Sequence, residues 1–186
     1  MALRKKSRQR SGTSPLSNIG PCFKMVTESL EFGLTGAQKK VIKEDHSDVK
    51  NSISMNRLLQ GDVGSGKTIV SILVSALAVG NSTQVAIMAP TEILATQHYH
   101  SFKTELERAN IPCVLLLGNM KKSERIPILD GLENGKIPVV IGTHALIQDD
   151  VIFKNLGLVI VDEQHRFGVN QRAKLIEKGI NPHFLA

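Results

Sequence analysis

The chain alternates short, wholly apolar runs with longer stretches in which apolar residues recur three and four positions apart. "MNRLLQ" predicts a short strand, followed by a glycine-rich turn and a long apolar helix that ends at Gly80. "QVAIMA" predicts a second strand, with a helix from about Glu92 to Arg108 behind it. "CVLLL" predicts a third, then a polar helix from about Lys121 to Asn134, and "PVVIGT" and "LGLVIVD" predict two more. Strands that are apolar on both faces and alternate with helices belong to a parallel sheet covered on both sides. The expected class is therefore α/β, a parallel sheet flanked by helices. Upstream, "LTGAQKKVIKE" begins a helical pattern with Thr35 as its N-cap and Val41 and Ile42 as buried positions, and the polar stretch from Asp45 to Ser54 reads as a loop.

Composition changes this picture at one end only. The 186 residues are 41% hydrophobic, enough for one domain with a core. The longest apolar runs fall far short of the ~20 residues that span a bilayer. Arg4, Lys5 and Lys6 are not followed by an apolar stretch, so no secretory leader is expected. Cys22 and Cys113 form no C-x-x-C pattern and read as reduced, intracellular thiols. The net charge of +6 comes from the six basic residues that precede Glu28, the first acid; from Glu28 onward there are 17 charges of each sign. The high pI is thus no sign of a basic groove across the domain. The basic run "LRKKSRQRSGTSP" reads as a solvated tail or helix end, with a nucleic-acid arm or an organellar transit peptide as alternatives.

The chemistry lies between the first predicted strand and its helix. Gly61 to Thr68, "GDVGSGKT", has the pattern G-x-x-x-x-G-K-T. Glycines at Gly61, Gly64 and Gly66, with Ser65 between the last two, let successive backbone N–H groups point at one anion, and the following helix adds its positive end. Lys67 would reach the β- and γ-phosphates and the Thr68 hydroxyl would ligate Mg²⁺. Such a loop needs an acid at the tip of a neighbouring strand. "LGLVIVDEQH" supplies two, Asp162 and Glu163: one carboxylate can hold the metal, directly or through water, and the adjacent one can position or deprotonate the attacking water. The bland alternatives are a chance glycine-rich turn and an ordinary strand-end acid pair. His98 and His100, two apart, are spaced wrongly for a metal site on one helix face and read as surface or hydrogen-bonded histidines.

"GDVGSGKT", "APTEILATQH", "VVIGTHALIQ" and "VIVDEQHRFGVNQR", in this order, resemble the first RecA-like motor domain of superfamily 2 DNA helicases. More narrowly they resemble the RecG family, which remodels stalled replication forks. The transcription-repair coupling translocases are the alternative; they show Phe where Ser65 stands, Thr-Thr at Thr91-Glu92 and Glu at Gln164, so all three positions favour RecG. The resemblance implies an ATP-dependent DNA helicase of DNA repair and recombination, with ATP and Mg²⁺ as cofactors, branched or forked DNA as partner, and a place in the bacterial cytoplasm at the nucleoid. It makes Gln38 the adenine-reading residue, with an amide able to pair bidentately with the base. It gives Asp162 the Mg²⁺ role and Glu163 the water role, and adds Gln164 and His165 as residues that couple hydrolysis to movement. Pro90, Thr91 and Glu92, with Gly142, Thr143 and His144, become sequence-blind contacts to a DNA backbone. A helix cap or turn is the local alternative for the two threonines.

The resemblance also sets domain expectations: a basic connector over residues 1–34 and a truncated first motor domain over 35–186. The closing "NPHFLA" would begin another strand. A second motor domain with the arginine that completes the ATP site, and a wedge domain that grips branched DNA, are expected elsewhere. A non-catalytic nucleotide-binding remnant is the alternative function.

Overall fold

The computed structural model describes residues 13, 15–30, 33–49, 54–59 and 66–186. Its strands are β1 (Asn56–Arg57), β2 (Gln84–Met88), β3 (Cys113–Leu116), β4 (Val139–Gly142), β5 (Leu156–Val161) and β6 (His183–Leu185). They form one parallel sheet in the order β1-β6-β5-β2-β4-β3. The helices are α1 (Pro21–Ser29), α2 (Gly36–Val49), α3 (Lys67–Gly80), α4 (Glu92–Glu107), α5 (Lys122–Glu133) and α6 (Val169–Ile176).

The unbroken apolar runs follow from burial on both faces. Val85, Ile87, Val139, Ile141, Leu158 and Ile160 face one core, which also holds Leu73 and Leu77 of α3 and Phe102 of α4. The intervening Ala86, Met88, Val140, Val159 and Val161 face a second core with Leu132, Leu146 and Phe153. Successive strand residues point to opposite faces, so both sets must be apolar. Every strand runs the same way, and the carboxyl ends therefore share one edge, where open α/β sheets bind ligands. At that edge Met88 lies level with Val161 on one side and Gly142 on the other. Asp162 N–H donates to Met88 O (3.0 Å) and Ala89 N–H to Gly142 O (2.9 Å).

Three departures from expectation have local causes. Helix α2 continues through Val49, so the first five positions of the expected loop over Asp45–Ser54 are helical. Part of the segment read as a connector packs on the domain. Leu16 and Val26 are fully buried, and Thr13 Oγ1 donates to Asn181 O at 2.9 Å. The Asn81 side chain binds both backbone groups of Asn18. Helix α1 starts on Pro21, whose missing N–H costs nothing there, and lies against α3. Helix α6 also escapes sequence reading: it has only 8 residues, and Leu175 is its one buried residue. The final strand expected from the resemblance is present as β6.

Candidate functional site

A cleft of about 740 Å³ opens at the carboxyl edge of the sheet. Gly66, Lys67, Thr68, Asp162, Glu163, Gln164 and His165 line it, so the structure gathers the described part of the phosphate loop and the whole acid segment around one space. Gly61, Gly64 and Ser65 lie outside the described residues. Ile87, Phe102 and Ile160 form an apolar backing.

Gly66 caps the N-terminus of α3 with φ 80° and ψ 27°, the left-handed conformation that glycine adopts without strain. A side chain there would also overlap Gln38 Nε2. Gln38 thus sits beside the phosphate loop, not among the residues of the cleft wall. It is tied to its own helix start: Thr35 N–H donates to Gln38 Oε1 (2.9 Å) and Gln38 N–H to Thr35 Oγ1 (3.2 Å). This reciprocal pair is a capping box and bears out Thr35 as the N-cap.

At the tip of β5, Asp162 is held on both oxygens. Glu163 N–H donates to Oδ1 at 2.9 Å. His98 Nε2 lies 2.7 Å from Oδ2, and since an ionised carboxylate only accepts, the imidazole donates. This bond keeps the Asp162 carboxyl below its ordinary value, opposed by partial burial and assisted by the Lys67 charge. Glu163 turns the chain sharply, with φ 47° and ψ 50°, a conformation costly for a residue with a side chain. Its carboxylate meets Arg166 Nε at 2.8 Å. Gln164 accepts a bond from Arg172 Nη1 at 2.9 Å, which ties the segment to α6.

Among the described residues no group of three or more His, Cys, Asp or Glu could hold a metal alone. The donors present, the Thr68 hydroxyl and the Asp162 carboxylate, are oxygens on one cleft. That set suits Mg²⁺, which takes one or two protein oxygens and completes its shell with phosphate and water.

Pro90, Thr91 and Glu92 stand at the end of β2, and Gly142, Thr143 and His144 at the end of β4, away from the cleft wall. Thr91 caps α4, its Oγ1 accepting from Leu94 N–H at 3.2 Å. Thr143 is only 2% exposed, and its hydroxyl has no hydrogen-bond partner among the described residues. His144 is exposed. Gly142 is required where it stands, because a methyl group there would overlap the Leu116 carbonyl oxygen.

Sequence reasoning missed His98 as a site residue, and also Asn119, which donates to Glu92 Oε2 at 3.2 Å from the end of β3. A signal for His98 existed. It stands three after Ala95 and four before Phe102, both buried, hence on the inward stripe of α4.

The parallel sheet thus carries, at its carboxyl edge, a cleft lined by Lys67, Thr68, Asp162 and Glu163, and comparison with known proteins gives the family. The DEAD/DEAH box helicase profile matches residues 35–182, and the chain belongs to that family. Within it the similarity is to RecG. The ATP-dependent DNA helicase RecG of Aquifex aeolicus is 50% identical over 98% of this chain and 24% of its own length. That of Thermotoga maritima is 50% identical over 94% of this chain and 22% of its own. A solved structure of RecG bound to a three-way DNA junction matches with a TM-score of 0.87 and 46% identity, over 99% of this chain and 24% of that one. The fold is thus the RecA-like helicase domain expected. The chain spans about a quarter of the length of these relatives. Among the described residues no helix is long and apolar enough to cross a membrane.

Proposed function

We propose that the chain is the ATP-binding motor domain of a RecG-like DNA helicase that remodels forked or branched DNA in repair and recombination, in the bacterial cytoplasm at the nucleoid. The observation that carries this reading is the convergence of Lys67, Thr68, Asp162 and Glu163 on one cleft. The roles follow from charge and position. Lys67 balances the β- and γ-phosphates. Thr68 and Asp162 would hold Mg²⁺, which when bound neutralises phosphate charge. Glu163 orients a water and takes its proton as the water oxygen attacks the terminal phosphorus, whose bond to the β–γ bridging oxygen breaks so that ADP leaves with that oxygen. Gln38, beside the loop, reads the adenine, and Gln164 and His165 relay the state of the nucleotide. DNA lies across the ends of β2 and β4, where the helix start at Thr91, the backbone at Gly142 and Thr143, and the His144 side chain meet phosphates without reading bases.

Turnover by this polypeptide alone should be slow. No arginine is among the described residues of the cleft. An arginine at the transition state is worth ~10³–10⁵ in rate, and the resemblance puts it on a second motor domain. That domain and a wedge domain, on the same or another chain, would supply what unwinding needs. The test is ATPase turnover of the purified 186-residue chain, with and without forked DNA, against Glu163→Gln. The expected result is tight Mg·ATP binding with slow turnover that Glu163→Gln lowers further. Fast DNA-stimulated turnover would mean that the site is complete as it stands, and absence of nucleotide binding would overturn the assignment.

A further inference from the structure

We infer that His98 is a positioning residue for Asp162, fixing through its Nε2–H the orientation in which the carboxylate meets a divalent cation. The inference rests on Asp162 being the metal-binding acid proposed above.

The two residues are 64 positions apart and meet at 2.7 Å. His98 projects from the second turn of α4 and is flanked on both sides by the buried Ala95 and Phe102. Its ring is 21% exposed and forms part of the cleft wall. Asp162 receives one bond on each oxygen, from His98 and from its neighbour's N–H. Each carboxylate oxygen accepts two bonds, so one acceptor position per oxygen stays available to a cation or its water, now in a fixed direction. The bland alternative is a staple between α4 and β5 that only adds stability. Its position argues otherwise. The carboxylate is 38% exposed, and a contact so open to solvent adds little stability. Carboxylates that ligate metals are commonly held by such outer partners, and removing one typically costs 10–100-fold in metal affinity or activity.

The experiment titrates Mg²⁺ against a fixed concentration of a fluorescent ATP analogue, for wild type, His98→Ala and His98→Gln, the last keeping a donor near the position of Nε2. His98→Ala should raise the half-saturating Mg²⁺ about tenfold, with binding in chelator unchanged. His98→Gln should recover part of the shift. In an Asp162→Asn background, His98→Ala should add nothing. Thermal unfolding without Mg²⁺ or nucleotide checks that the variants fold. Should His98→Ala not fold, His98→Asn, whose amide stops short of Asp162, replaces it with the same expected direction. An unchanged Mg²⁺ requirement, a lowered one (His98 competing with the cation), or an equal shift in the Asp162→Asn background would each overturn the inference. Wild-type binding that ignores Mg²⁺ and Lys67 alike would instead overturn the nucleotide reading beneath it.

Discussion

At the tip of β5 the polar side chains line a cleft, while at the tips of β2 and β4, one and two strands along, the threonine hydroxyls are taken into the fold. Asp162 and Glu163 present carboxylates steadied by His98 and Arg166. Thr91 uses its hydroxyl on a helix cap, Thr143 buries its own, and Gly142 is there because the next strand passes too close for a side chain. On the proposed function the two regions share one edge yet serve different ligands. A metal-bound triphosphate needs specific charges at specific points. A strand that must slide past is better held by backbone N–H groups and helix ends, which do not distinguish sequences.

The largest effect expected from this contrast is at Gly142. Gly142→Ala forces a methyl onto the Leu116 carbonyl and should cost about 2–3 kcal/mol in denaturant unfolding. A neutral result would mean that the β3–β4 edge yields easily and that the glycine serves something else. Thr91→Ala removes a helix cap and should cost about 1 kcal/mol. If strand contact runs through the helix start, single-stranded DNA affinity should fall little. A tenfold loss of affinity at full stability would give the hydroxyl itself to the DNA and blur the contrast. Thr143→Val replaces a buried hydroxyl with no hydrogen-bond partner among the described residues, so stability should stay level or rise by up to about 1 kcal/mol. A loss of more than that would reveal a bond the hydroxyl makes.

The smallest effect is at Asp162. Its carboxyl lies below the ordinary value in the folded chain. The stability it contributes is therefore present above the unfolded value near ~3.9 and is lost as pH falls through the lower folded one. Because the carboxylate is 38% exposed, solvent screens it and Asp162→Asn should cost only a few tenths of a kcal/mol at neutral pH. That difference should shrink below about pH 4. A cost that persists at low pH would point to packing instead of charge.

Much of the sheet was legible because a doubly buried strand has a plain signature: Val85–Ala89 and Leu158–Val161 are apolar throughout. The acid pair was legible because a run of that kind must end at the ligand edge. The role of His98 was not, because it depends on a partner 64 residues away that only the fold brings near. Helix α1 was hidden by its basic neighbours, which masked Leu16 and Val26 as core positions. Thr143 looked like a contact residue by its place in a motif, and local pattern carries no sign that its hydroxyl would be buried.

The central claim is that the cleft holds a triphosphate through Lys67. Its most direct test is a titration of wild type and Lys67→Ala with a fluorescent ATP analogue in Mg²⁺. Losing a charged partner of the phosphates is worth about 1.5–3 kcal/mol, so the account predicts affinity weakened at least tenfold in Lys67→Ala, with both chains equally folded. Equal affinities in two folded chains would contradict it.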